Sequence, residues 1–158
     1  MSRLSENEFM FRMARSNPEL SELEWDPSWQ AYKAKEGLFP TNQYLNSGVS
    51  VYLDELLKFH EIDLSLTFDS TCYPSSKVDY THVARVPLSA LEPTDNQKQL
   101  SAGILKDPKE ACEAGKAHAL IRPLSSDEKA ARRAWKQIRQ RLISRATTRP
   151  KNALEWNN

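Results

Sequence analysis

Few residues of this chain have types suited to chemistry, and most of them stand alone. His118 sits inside the apolar run Ala117-His118-Ala119-Leu120-Ile121. On a strand such a ring either enters the core or emerges into a cleft, and beside an acid it becomes a base with a tuned pKa. His82 opens the run His82-Val83-Ala84-Arg85-Val86-Pro87, which also carries Arg85. Ser50 lies in Gly48-Val49-Ser50-Val51-Tyr52, which lacks the second glycine of the G-x-S-x-G elbow that activates a serine. With Arg12, these give the candidate catalytic set Arg12, Ser50, His82 and His118, with Tyr52 beside it in any cleft they share. The chain has only four glycines and neither a G-x-x-x-x-G-K nor a G-x-G-x-x-G loop, which argues against P-loop nucleotide hydrolysis.

Cys72, His82, Cys112 and His118 are metal-ligand types. Their spacing has no C-x-x-C or H-x-x-x-H pair to preorganise zinc, so neither metal nor cofactor is expected. Two cysteines are too few for a disulfide scaffold, and both are expected to be reduced thiols. The first residues, MSRLSENEF, are charged from the start, which gives a cytoplasmic expectation. No apolar run approaches the roughly 18 residues of a membrane helix.

The elements that must position these residues are read from periodicity and charge. The 158 residues are 39% hydrophobic and 27% charged, enough for one core with much polar surface. The net charge of +1 conceals an asymmetry. Residues 1–128 hold 13 basic and 20 acidic residues, a balance of −7, whereas 129–151 hold nine basic residues and no acid. In that segment Ala131, Trp135, Ile138 and Leu142 form one apolar stripe behind N-cap candidates at 125–128, predicting a long basic amphipathic helix ended by Arg149-Pro150. Residues 152–158 are expected to fray, with Leu154 and Trp156 able to dock. Arg132, Arg133, Lys136, Arg139, Arg141 and Arg145 are its candidate contacts to nucleic acid or an acidic partner. The same helix can instead dock on its own acidic body or present a solvated face.

Upstream, Phe9, Met10 and Met13 after the Ser5/Glu8 capping box predict a helix over 6–15, and Leu20, Leu23, Trp25 and Trp29 a second one broken at Pro27. Strands are expected at 48–53, 81–87, 103–106 and 117–121, with a helix capped by Asp54 after the first. Residues 69–80 and 92–99 read as loops. The expected fold is α+β: a small mixed sheet of about four short strands packed with helices, with a core domain over 1–122 and the basic C-terminal helix and tail over 123–158.

The order of short runs, F-x-R, then G-L-F-P-T-N-Q-Y, G-V-S-V-Y-L, H-V-A-R-V-P, G-I-L-K-D-P and A-H-A-L-I, resembles a loose group of small uncharacterised bacterial proteins across residues 9–122. That resemblance implies no activity, and it implies that 123–158 is an addition to a shared core. The chain also resembles ADP-ribosyltransferase-like folds, which place an arginine on an early strand and a serine on a later one. Arg12 and Ser50 are the matching positions, but Arg12 falls in a predicted helix and no glutamate stands where a catalytic acid belongs. The leading expectation is a binding or accessory module, rather than an enzyme, contacting a larger protein partner or nucleic acid through the C-terminal helix. The alternatives are an enzyme with an ADP-ribosyltransferase-like cleft around Arg12, Ser50 and His118, acting on a nucleotide-derived substrate, and an antitoxin or immunity-type inhibitor.

Overall fold

The computed structural model describes residues 8–73, 78–92 and 102–156. Its centre is a six-stranded, wholly antiparallel sheet, larger than the four strands expected, formed by β1 (Phe9–Ala14), β4 (Val49–Leu53), β5 (His82–Pro87), β6 (Ala102–Lys106), β7 (His118–Pro123) and β8 (Thr147–Pro150). The spatial order is β6-β7-β4-β1-β5-β8. A separate hairpin pairs β2 (Leu23–Asp26) with β3 (Ala31–Ala34). Three α-helices complete the fold: α1 (Thr41–Asn46), α2 (Asp54–Phe59) and α3 (Glu128–Arg145). The α+β class therefore holds, with more strands than the sequence displays.

Several sequence expectations are corrected: the basic helix, expected to be ended by Arg149-Pro150, stops at Arg145, and Thr147–Pro150 is strand β8 paired with β5. The predicted helix over 6–15 is strand β1 across its described part. Phe-Met-Phe-Arg-Met-Ala is apolar on both sides, which suits a central strand covered on both faces as well as it suits a helix. The second predicted helix is a short 3-10 turn at Pro18–Leu20, capped by the Asn17 side chain, followed by the β2–β3 hairpin. There Leu23 and Trp25 follow the two-residue strand period. Most of the expected 92–99 loop lies outside the described residues.

Both faces of the sheet are covered. On one side Met10, Ala14, Val49, Val51, Ala84, Val86 and Ile121 pack against the α3 stripe of Ala131, Trp135, Ile138 and Leu142. Trp135 is fully buried and stacks on Tyr44 of α1 with centroids 3.9 Å apart. On the other side Phe11, Met13, Tyr52 and Val83 meet Leu57 of α2 and the 3-10 turns at Leu64–Phe68 and Glu113–Ala117. Val83 and Val86 thus belong to opposite cores, as a strand buried on both faces requires. The 123–158 segment shares this core: α3 covers the sheet, β8 pairs with β5, and Trp156 of the tail packs 5.7 Å from Phe11 and donates to Thr147 Oγ1 at 2.9 Å.

Candidate functional site

The site arises where two central strands part. β1 and β4 are paired at Met10↔Leu53 and Phe11↔Tyr52 and no further, so the ladder opens beyond Phe11. Arg12 fills the opening. Its Nε donates to the Leu38 carbonyl at 2.9 Å, Nη1 to the Ser50 carbonyl at 2.9 Å, and Nη2 to Gln43 Oε1 at 3.3 Å. All three acceptors are neutral, and among the described residues no carboxylate lies within ion-pair distance of Arg12. Burial lowers its pKa from the usual guanidinium value, opposed by the nearby Tyr80 and Glu22, yet a guanidinium stays charged in proteins. A half-buried cation with no ion-pair partner is costly unless hydrogen bonds or a ligand compensate it.

Arg12 lines a cleft of about 480 Å³, shared with Ser50, Tyr52, Tyr73, Tyr80 and His118. Gly48 turns the chain into β4 at its edge with φ +92°, a conformation that an L side chain rarely adopts. Tyr73 donates to the Thr67 carbonyl at 2.8 Å, so the 3.0 Å contact between the two hydroxyls is a bond from Tyr52 to Tyr73. Burial raises the pKa of both phenols, which keeps them protonated and able to donate at neutral pH. Tyr80 packs edge-on to Tyr73 with centroids 4.9 Å apart, so these rings and Tyr52 give one part of the wall an aromatic surface.

His118 pairs with Tyr52 across β7 and β4 and places its ring 5.7 Å from the Tyr52 ring. Its Nδ1 lies 2.9 Å from the Asp107 carbonyl and 3.3 Å from Asp107 Oδ2. A proton on Nδ1 satisfies both oxygens and leaves Nε2 as an acceptor. Burial pushes the His118 pKa below the usual histidine value, partly opposed by the Asp107 carbonyl and carboxylate. The cleft therefore holds a fixed cation, a neutral oriented imidazole and two phenols whose protons are already engaged within the protein.

The sequence candidates divide accordingly. Arg12, Ser50, Tyr52 and His118 line one cleft, whereas His82 and Arg85 do not. His82 bonds Thr81 Oγ1 at 2.8 Å and packs edge-on to Tyr32, 4.8 Å between centroids. The Arg85 guanidinium lies over Phe9, 4.2 Å from its centroid, and near Trp156. Tyr73, Tyr80 and Asp107 were missed because they lie in turn-rich segments with no periodic signal. Lys109 at the rim pairs with Asp107 at 3.1 Å.

The expectation of reduced thiols is also corrected: Cys72 and Cys112 form a disulfide with Cα atoms 5.0 Å apart, and both line the cleft. Among the described residues no cluster of His, Cys, Asp and Glu is arranged to hold a metal ion. The basic helix is docked on its own sheet. Arg139 donates to Thr41 Oγ1 and lies 3.7 Å from Glu36, Arg141 donates to the Ala90 carbonyl, and Arg132 pairs with Glu128. Arg132, Arg133 and Lys136 stay exposed, while Arg145 is half-buried. The chain matches no family model, and neither a curated protein nor a solved structure is significantly similar to it.

Proposed function

We propose that this protein works through the cleft, by binding an anionic small molecule that carries a flat ring, of the nucleotide class. The observation that carries this reading is Arg12: a half-buried guanidinium held by three neutral oxygens, with no carboxylate within ion-pair distance among the described residues, lining a cleft that three tyrosines also line. A phosphate or carboxylate of the ligand supplies the missing counter-charge through the donors Arg12 has left, and Tyr52, Tyr73 and Tyr80 offer ring faces and edges to a base. His118, neutral and tethered at Nδ1, stands ready to take a proton from a bound hydroxyl, which is the route by which binding becomes catalysis. The bond from the Arg12 side chain on β1 to the Ser50 carbonyl on β4 also brings together the two positions that carry the resemblance to ADP-ribosyltransferase-like folds.

Calorimetric titration with ADP tests the proposal, with adenosine and ribose 5-phosphate as separate arms for ring and anion. ADP is expected to bind tighter than either fragment. Arg12→Gln should weaken it by about 2 kcal/mol or more, the order of a lost charge-assisted hydrogen bond in a buried site. Because Arg12 also bridges the strands, Tyr80→Ala, a half-buried wall residue, is the second variant. Absence of heat with ADP, or equal affinity for ADP in all three proteins, overturns the reading.

A second reading is supported by the outer face of α3, where Arg132, Arg133 and Lys136 are exposed in one row. It makes this face the contact to nucleic acid or an acidic partner.

A further inference from the structure

The cleft wall includes two turn-rich segments outside the strands, the second anchored to β7 where the Asp107 N–H donates to the His118 carbonyl at 3.0 Å. The first runs through the 3-10 turns Leu64–Phe68 and Ser70–Cys72 and contributes Cys72 and Tyr73. Its backbone bonds are local: Leu66 to Asp63, Asp69 to Leu66, Cys72 to Asp69 and Tyr73 to Ser70. The second, 107–115, contributes Asp107, Lys109 and Cys112, and closes on itself through Lys109 to Gly115 and Gly115 to Cys112. The Cys72–Cys112 bridge is the covalent seam between them, across 40 positions of sequence. Both cysteines are only half-buried, so a reductant can reach the sulfurs. Without the bridge the first segment is held by the Tyr52–Tyr73 hydrogen bond, the Tyr73–Tyr80 ring contact, buried Thr67 and partly buried side chains such as Leu64 and Phe68.

From these observations we infer that the Cys72–Cys112 disulfide is a redox latch on the cleft: oxidised, it fixes the wall in its binding geometry, and reduced, it releases that wall while the sheet stays folded. The reductant is a dithiol. One thiolate of the reagent attacks a cysteine sulfur, forming a mixed disulfide and expelling the other cysteine as thiolate, which takes a proton. The second thiol of the reagent then closes its own disulfide and frees the second cysteine. Two electrons pass from reagent to protein, and the reagent leaves oxidised.

The inference rests on the cleft being a binding site, but its first test needs no ligand. Amide hydrogen exchange is measured on the full chain, oxidised and after reduction by dithiothreitol. Exchange across 64–73 and 107–115 is expected to rise about tenfold or more, with β1 and β4 unchanged. The double variant Cys72→Ser/Cys112→Ser should match the reduced protein with or without dithiothreitol. Equal exchange in the two states overturns the latch. So does loss of protection throughout β1 and β4, which makes the bridge a staple of the whole fold. ADP titration of both states is the second test: reduction should weaken binding by about tenfold or more, because only the fraction of molecules with an ordered wall is competent. Equal ADP affinity in both states overturns the latch even where exchange differs. ADP binding to neither state rejects the nucleotide reading, and the exchange data then decide the latch alone.

Discussion

At the scale of single residues, burial outweighs the neighbouring charge. His118 shows it in titration. Its ring is almost buried, its pKa lies below the usual histidine value, and His82 is depressed by burial as well. In the unfolded chain both rings take up a proton near pH 6.5, whereas in the fold they resist it until lower pH. Between those limits the unfolded state binds more protons, so stability rises with pH there. The stabilisation is complete above the ordinary histidine pKa and is lost as pH falls through the depressed folded values. Each unit of depression corresponds to about 1.4 kcal/mol. Urea unfolding from pH 7.5 to 5 should show this decline. His118→Asn, which keeps a donor where Nδ1 bonds the Asp107 carbonyl, should flatten part of it. An identical pH slope in wild type and variant would show that His118 does not contribute.

At the scale of elements, α3 is the clearest case of sequence pattern becoming packing. Its stripe faces the sheet, and Trp135 lies flat on Tyr44 with no exposed surface. Trp135→Ala should cost about 3–5 kcal/mol, the range for removing a large buried aromatic, visible as a lower urea midpoint at unchanged slope. Elements with an apolar stripe or a short run containing β-branched residues were legible in the sequence: α3, α2, whose cap is Leu53 and not the expected Asp54, and β4, β5, β6 and β7 at their predicted places. β1 was not, because Phe9–Ala14 contains no β-branched residue and, buried on both faces, no alternation, so the spacing of Phe9, Met10 and Met13 fits a helix equally well. The cleft was half legible for the same reason. Ser50, Tyr52 and His118 sit on recognisable strands, but the role of Arg12 depends on β1 leaving β4 after Phe11, a property of the pairing and not of either segment. The disulfide was invisible because Cys72 and Cys112 are adjacent only after the two turn-rich segments fold onto one face.

At the scale of the whole molecule, the charge asymmetry takes a different meaning once α3 is seen on the sheet. The basic segment is not an appended arm: Arg139 lies 3.7 Å from Glu36, Arg141 donates to the Ala90 carbonyl, and Lys151 lies 3.6 Å from Asp79, so part of its charge is turned onto the body. The remainder is presented outward by Arg132, Arg133 and Lys136. Deleting 123–158 is therefore a poor test of partner binding, since it removes a core helix and the edge strand β8 together. Reversing charge on the exposed row leaves both in place. Arg133→Glu/Lys136→Glu should fold with a midpoint close to wild type, because exposed substitutions away from packed features usually change stability by about 0.5 kcal/mol or less. A mobility-shift titration with duplex DNA and with single-stranded RNA over a range of salt then decides the surface reading. A phosphate contact predicts affinity that falls steeply with salt and a slope reduced by roughly one for each cation removed. A wild-type protein that shifts neither nucleic acid at low salt, or a variant with the same salt slope, rejects nucleic acid as the partner of this face.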